Sequence, residues 1–234
     1  MNSNDRNTNF KKMSTTEKKK QQHSSMFIHL LLLLVQASAV TQEEVASVSR
    51  DLIALFPTNN NDRTMILGGL VRLAFHDAGT FDKYDPTSGR SDGCVDLSSA
   101  DNAGLEMLID LLAPVVTSHP EMSRADVWNL ASNLAIRASL PNGVTLDIPL
   151  RYGRSDALDA KSSCSVTDAN KLPSAELSHQ HTTDVFVERM GFTQREVTAL
   201  MGAHTLGRAD ASASGYDGTV STKMYSILIC FYKH

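Results

Sequence analysis

The stretch LVRLAFHDAGTF, residues 70–81, decides how this sequence is read. Its apolar residues Leu67, Leu70, Val71, Ala74 and Ala78 recur three and four apart, the spacing of one helix face. Arg72 and His76 fall on the other side, one turn apart and therefore side by side. For an isolated pair, a solvated face would explain this. A guanidinium beside an imidazole can also share one proton-transfer task, and the rest of the chain has to choose between the two.

The chain has 234 residues, 41% hydrophobic and 21% charged, which is ordinary globular composition. Its start differs from the rest. Residues 1–25 are polar and include Lys18, Lys19 and Lys20. The apolar run MFIHLLLLLV (26–35) follows, then Ala37-Ser38-Ala39, a small-x-small pattern. Basic flank, short apolar run and small-residue end predict a secretory signal peptide over 1–39, with a longer leader than usual and with Met13 and Met26 as alternative starts. The run is too short to span a bilayer, and no stable membrane association is expected.

Without residues 1–39, 16 Lys+Arg face 24 Asp+Glu, a net charge near −8. Such a surface disfavours nucleic acid. The three cysteines, Cys94, Cys164 and Cys230, match no zinc spacing. In an oxidising compartment Cys94 and Cys164 could pair, leaving Cys230 odd.

Helix starts are well marked. Thr41-x-x-Glu44 and Thr193-x-x-Glu196 read as capping boxes, and Ser123 caps a helix reaching Ala138. The first helix is expected to stop at Pro57, with 58–63 a polar turn. A long loop is expected over 80–101, then a helix over Asn102–Val116. Residues 144–154 alone alternate like a strand, cut short by Pro149. A helix is expected over 182–190. The helix opened at Thr193 delivers His204 at its far end. The chain reads as one mostly helical domain.

With RLAFHD (72–77) and MGAHTLGR (201–208) side by side, the sequence resembles the plant, fungal and bacterial haem peroxidase superfamily, nearest its intracellular branch of cytochrome c and ascorbate peroxidases. The resemblance continues through NAGL (102–105), SRAD (123–126), IPLRYGRSDA (148–157), LPSA (172–175), FVERMG (186–191) and VTALMGAHTLG (197–207). Each segment is weak alone, but together they stand in family order. The resemblance implies an all-α fold with haem b between the helix bearing His76 and the helix bearing His204. It implies reduction of H2O2 through a ferryl intermediate, then one-electron oxidation of a small-molecule donor, in an oxidative stress response.

Residue roles follow from the same resemblance. His76 is the distal acid/base, Arg72 the distal charge stabiliser, and Asn102 the residue that fixes the imidazole tautomer. His204 is the axial iron ligand, and Phe75 and Thr205 are haem contacts. Phe75 stands where the intracellular branch usually carries Trp and secreted plant peroxidases carry Phe. His119, His179 and His181 are read as ordinary loop residues.

Secreted members bind calcium through the aspartate after the distal histidine and a downstream Asp-x-Ser. Here Asp77 is followed by Asp92-Gly93-Cys94, and thiols are poor calcium ligands. Calcium is therefore not favoured. Ascorbate peroxidases place an arginine nine residues after the proximal histidine, where this chain has Ala213.

The resemblance covers residues 40–218 as the peroxidase domain and is expected to be incomplete, because 219–234 does not continue it. Val220-Ser221 can be encoded with the GT-AG-T of an intron's 5′ end, which offers translated intron as a source for that tail. The competing class is a catalytically inactive, truncated peroxidase-like binding or structural protein.

Overall fold

A computed structural model describes residues 40–85, 87–161, 164, 171–174, 177–209 and 218–221. The leader 1–39, Ala213, Cys230 and most of the 219–234 tail lie outside the described residues. Among the described residues the architecture is all-α apart from one small antiparallel ribbon.

Helix α1 (Gln42–Ala54) opens with the predicted capping box. The Thr41 hydroxyl accepts from the Glu44 backbone N–H, and the Glu44 carboxylate accepts from the Thr41 N–H. Helix α2 (Asn60–Ala78) begins earlier than the sequence suggests and absorbs much of the polar stretch 58–63. Asn59 caps it by accepting from the Asp62 N–H at 2.9 Å, which suits an asparagine-rich entry. Helix α3 (Glu106–Ser118) starts four residues late. Asn102 sits instead in a 3-10 turn over Ala100–Asn102, and Gly104 at φ +83° separates the turn from the helix.

Helix α4 (Arg124–Ser139) is capped by Ser123 as predicted. The strand expected over 144–154 is absent from the structure. Val144 and Leu146 lie about half exposed, and no segment among the described residues pairs with this stretch, so alternation alone gains nothing. A short α5 (His179–Thr183) runs into a π-helical stretch, Asp184–Arg189, in place of one helix. Helix α6 (Gln194–Met201) carries the second capping box and ends in a 3-10 turn, Gly202–Thr205. Strand β1 (Gly207–Ala209) then pairs with β2 (Gly218–Ser221).

The core lies where α2 and α4 pack, with α1 and α3 against them. Trp128, Leu70, Leu73, Leu105 and Leu112 are among its fully buried side chains. On α2 the buried face is Ile66, Leu67, Leu70, Leu73 and Asp77, rotated from the face the sequence suggested. Val71, Ala74 and Ala78 are only partly buried. The rotation brings Arg72 and His76 out of solvent.

Strand β1 crosses α2 at Gly68. A Cβ built there would lie 2.5 Å from the Gly207 Cα and 3.0 Å from the Leu206 carbonyl oxygen. Both neighbours are backbone, and Gly207 itself has φ +123°, so two glycines allow the approach. This contact joins the chain just after His204 to the helix bearing His76. Gly68→Val is expected to cost ~1–3 kcal/mol by forcing the two backbones apart. Thermal unfolding followed by circular dichroism checks this, and a midpoint equal to the parent's would contradict it.

His119 is not an ordinary loop residue. Only 8% exposed, it ends α3 with Nε2 2.8 Å from Asp51 of α1 and Nδ1 3.0 Å from Glu121. The Asp51 bond leads in raising its pKa above the ordinary value. A base whose folded pKa is raised stabilises the fold fully below its unfolded pKa, and that contribution is lost as pH rises through the folded value. Part of the thermal stability is therefore expected to fall on the alkaline side of about pH 6.5. His119→Gln should flatten that part of the melting-temperature profile.

Candidate active site

Helix α2 presents His76 through its last turn, and the 3-10 turn after the loop presents Asn102 to it. The Asn102 Nδ2 donates to the Asp96 carbonyl at 2.8 Å, which fixes the amide's orientation. Its Oδ1 therefore faces His76 Nδ1, 2.7 Å away. A carbonyl oxygen can only accept, so Nδ1 carries the proton and Nε2 keeps its lone pair. Burial first, then the Arg72 charge, lowers the His76 pKa to about 4. The result is a neutral imidazole with a basic, fixed Nε2 at neutral pH.

Arg72 is half-buried, one turn back. Its Nη1 donates to the Ala103 carbonyl at 2.8 Å and its Nη2 to the Asp101 carbonyl at 2.6 Å. Desolvation lowers its pKa, but a guanidinium starts so high that it stays charged. The same loop thus holds both residues, His76 through Asn102 and Arg72 through the flanking carbonyls.

Phe75 turns to the other side of α2. Its ring lies 5.9 Å from the His76 ring, edge-on, and 6.2 Å from Phe186, which also packs against Phe192. Phe75 therefore joins a second, smaller apolar cluster built on Val185, Phe186, Met190 and Val197.

His204 sits in the turn after α6, with an exposed side chain whose Nδ1 faces the Met201 carbonyl at 3.3 Å. That contact orients the ring with Nε2 outward. Thr205 is buried, and its hydroxyl donates to the Gly202 carbonyl at 2.7 Å, locking the same turn. No hydrogen bond joins His76 and His204 among the described residues.

Asp77 is 4% exposed. Its carboxylate accepts from Ser91 Oγ at 2.9 Å and from the backbone N–H groups of Asp92, Gly93 and Cys94 at 3.2, 3.1 and 3.0 Å. Burial raises its pKa to about 6 against the pull of these donors, so it is an anion at neutral pH. Cys94 and Cys164 form a disulfide. Both line a cleft of about 100 Å³ together with His76, Asp77, Asn102 and Leu172.

Two structural residues were not singled out by sequence. Arg124 braces the loop by donating to the Gly93, Ala157 and Asp159 carbonyls. Arg189 links the LPSA region to the end of α2 through the Lys171 and Gly79 carbonyls. Their signal was present, since each lies in a quoted segment, but only the fold shows what they reach.

The chain belongs to the peroxidase family, whose sequence pattern matches residues 46–226. It is 37% identical over 180 residues to "Probable L-ascorbate peroxidase 3, peroxisomal" of Oryza sativa subsp. japonica, covering 75% of this chain and 56% of that protein. It is 40% identical over 153 residues to "Cytochrome c peroxidase, mitochondrial" of Aspergillus fumigatus, covering 64% of this chain and 39% of that protein. A Pyricularia oryzae peroxidase described as heme-binding is 38% identical over 177 residues, 74% of this chain and 56% of the relative. The chain thus spans about half the length of the curated relatives it matches.

The relatives overturn one expectation. They carry peroxisomal and mitochondrial names, so the secretory assignment of the leader and of the whole protein is withdrawn. A short apolar run behind basic residues is a compositional pattern, and composition alone does not specify which receptor reads an N-terminus. No helix among the described residues is long and apolar enough to cross a membrane.

Proposed function

We propose that this chain is the part of a haem peroxidase that carries peroxide activation and the axial iron ligand, using non-covalent haem b. The donor set suits the group. His204 offers an outward Nε2 on a ring whose Nδ1 faces the Met201 carbonyl, in a turn locked by the Thr205 hydroxyl. The sequence has no Cys-x-x-Cys-His for covalent attachment. When bound, the haem supplies the redox centre that accepts oxidising equivalents from peroxide and passes them to a donor.

The protein's own part is proton transfer and charge. His76 Nε2 takes the proton from one peroxide oxygen and returns it to the other as the O–O bond breaks. A base with a folded pKa of about 4 is unprotonated and ready throughout the neutral range. Arg72 balances the negative charge on the departing oxygen. The single observation that carries this reading is the oriented Asn102 amide, because it leaves His76 Nε2 as the free base beside Arg72.

Calcium has no clear place at Asp77. A carboxylate offers about four acceptor sites, and four protein donors already fill them. The donor is read as a small-molecule reductant, and peroxide removal fits an oxidative stress role. Ascorbate is expected to be a poor donor, because Ala213 supplies no cation where the resemblance places one and the domain is acidic. Steady-state comparison with a phenolic dye checks this, and equal turnover with ascorbate would contradict it.

The test of the main reading is haem titration followed by stopped-flow mixing with H2O2. A Soret band and a peroxide-dependent spectral change are expected, with dye oxidation on turnover. Haem binding without any reaction would favour the inactive binding protein instead, and no Soret band would overturn the haem reading.

A further inference from the structure

The carboxylate after the distal histidine is more elaborately bonded than local hydrogen bonding requires. Ser91, which donates to Asp77, itself accepts from Asn129 Nδ2 of α4 at 2.7 Å. Gly93 has φ +71°, which lets the N–H groups of Asp92, Gly93 and Cys94 converge on one anion. A side chain at Gly93 would meet Arg124 Nε at 2.9 Å, so the turn also has no room for one.

Two residues beyond this nest, the Asp96 carbonyl accepts from Asn102 Nδ2. The segment 91–96 therefore closes a ring. It leaves His76 by the peptide bond to Asp77, crosses the four hydrogen bonds into 91–94, and runs along the chain to Asp96. From there it passes through Asn102 back to His76 Nδ1. Other supports of the segment include the Val95 N–H bond to the Ala160 carbonyl, the Ala157 N–H bond to the Asp92 carbonyl at 2.9 Å, the Arg124 bond to the Gly93 carbonyl, and the Cys94–Cys164 disulfide.

We propose that Asp77 is a positioning residue for His76, acting through the segment 91–96 and Asn102 to hold the imidazole as its Nδ1–H tautomer. This rests on the peroxidase reading for its functional meaning, though not for its test. Among the described residues, the hydrogen bonds from the 91–94 segment to the helix that carries His76 all end on Asp77. Losing the carboxylate turns three convergent N–H donors toward a group that cannot accept them all. The segment then shifts, the Asp96 carbonyl moves from Asn102, and the amide is free to flip. An unclamped imidazole distributes its proton between the two nitrogens.

The experiment uses the full-length chain without haem, labelled with 15N-histidine. In the parent, the His76 ring is expected to show Nδ1 protonated and Nε2 bare. In Asp77→Asn, with Trp128 fluorescence showing the core intact, the ring should shift to a mixture with a substantial Nε2–H population. A folded Asp77→Asn protein whose His76 signals match the parent's would overturn the proposal, whatever its melting temperature. Should that variant not fold, Ser91→Ala removes one of the four donors and is expected to give a smaller shift in the same direction. No change there would overturn the proposal equally. Failure of the parent to bind haem would sink the peroxidase reading and leave this measurement standing.

Discussion

In the haem-loaded protein, His76→Leu is expected to slow the reaction with H2O2 by ~10²–10⁴-fold while haem stays bound. Leucine roughly fills the space of the imidazole, so the lost quantity is the base itself. The magnitude reflects what a fixed neutral imidazole does. Nε2 is aimed by a 2.7 Å bond on the opposite nitrogen, and burial keeps it unprotonated down to about pH 4. The sign of the pH dependence follows. The parent's rate should show a limb that falls as pH drops through about 4, where Nε2 takes a proton, below the range near 6 in which Asp77 gains its own. His76→Leu should lack that limb. Stopped-flow rates across pH 3.5–8, a range set around the ordinary histidine pKa of about 6.5, read both effects. A variant rate equal to the parent's would show that His76 is not the proton acceptor.

The second large effect is on cofactor binding. His204→Ala is expected to remove the axial ligand and with it tight haem binding, read as loss of the Soret band on titration. Its surroundings argue that little else would change. The side chain is exposed, its Nδ1 faces the Met201 carbonyl, and the turn it sits in is locked separately by Thr205. The fold should therefore survive, which far-ultraviolet circular dichroism checks. Added imidazole should restore part of the spectrum by occupying the missing position. An unchanged ferric spectrum in His204→Ala would place the iron ligand elsewhere.

The capping boxes at Thr41 and Thr193 were legible in sequence because they are local, each a reciprocal pair of bonds within one turn. The strand expected over 144–154 was not, because alternation describes a face and not its partner. The start of α2 was misplaced for a related reason. A run of asparagines reads as a turn until one of them is seen capping a helix that the core already needs. His119 was undervalued since its partners, Asp51 and Glu121, are 68 and 2 residues away.

What the sequence by itself determined is the helical periodicity, the capped helix starts at Thr41, Ser123 and Thr193, and the presence of Arg72, His76, Asn102 and His204 in a family order. Those are properties of spacing and residue chemistry along one chain. Only the tertiary structure decided what these groups are in a chemical sense. The rotation of α2 that buries Leu73 and Asp77 removes His76 from water and lowers its pKa. The Asp96 carbonyl turns the Asn102 amide and so assigns the imidazole proton. The Gly68–Gly207 contact joins the chain just after His204 to α2. Protonation state and tautomer depend on dielectric and on partners brought from distant positions, and no local pattern encodes them.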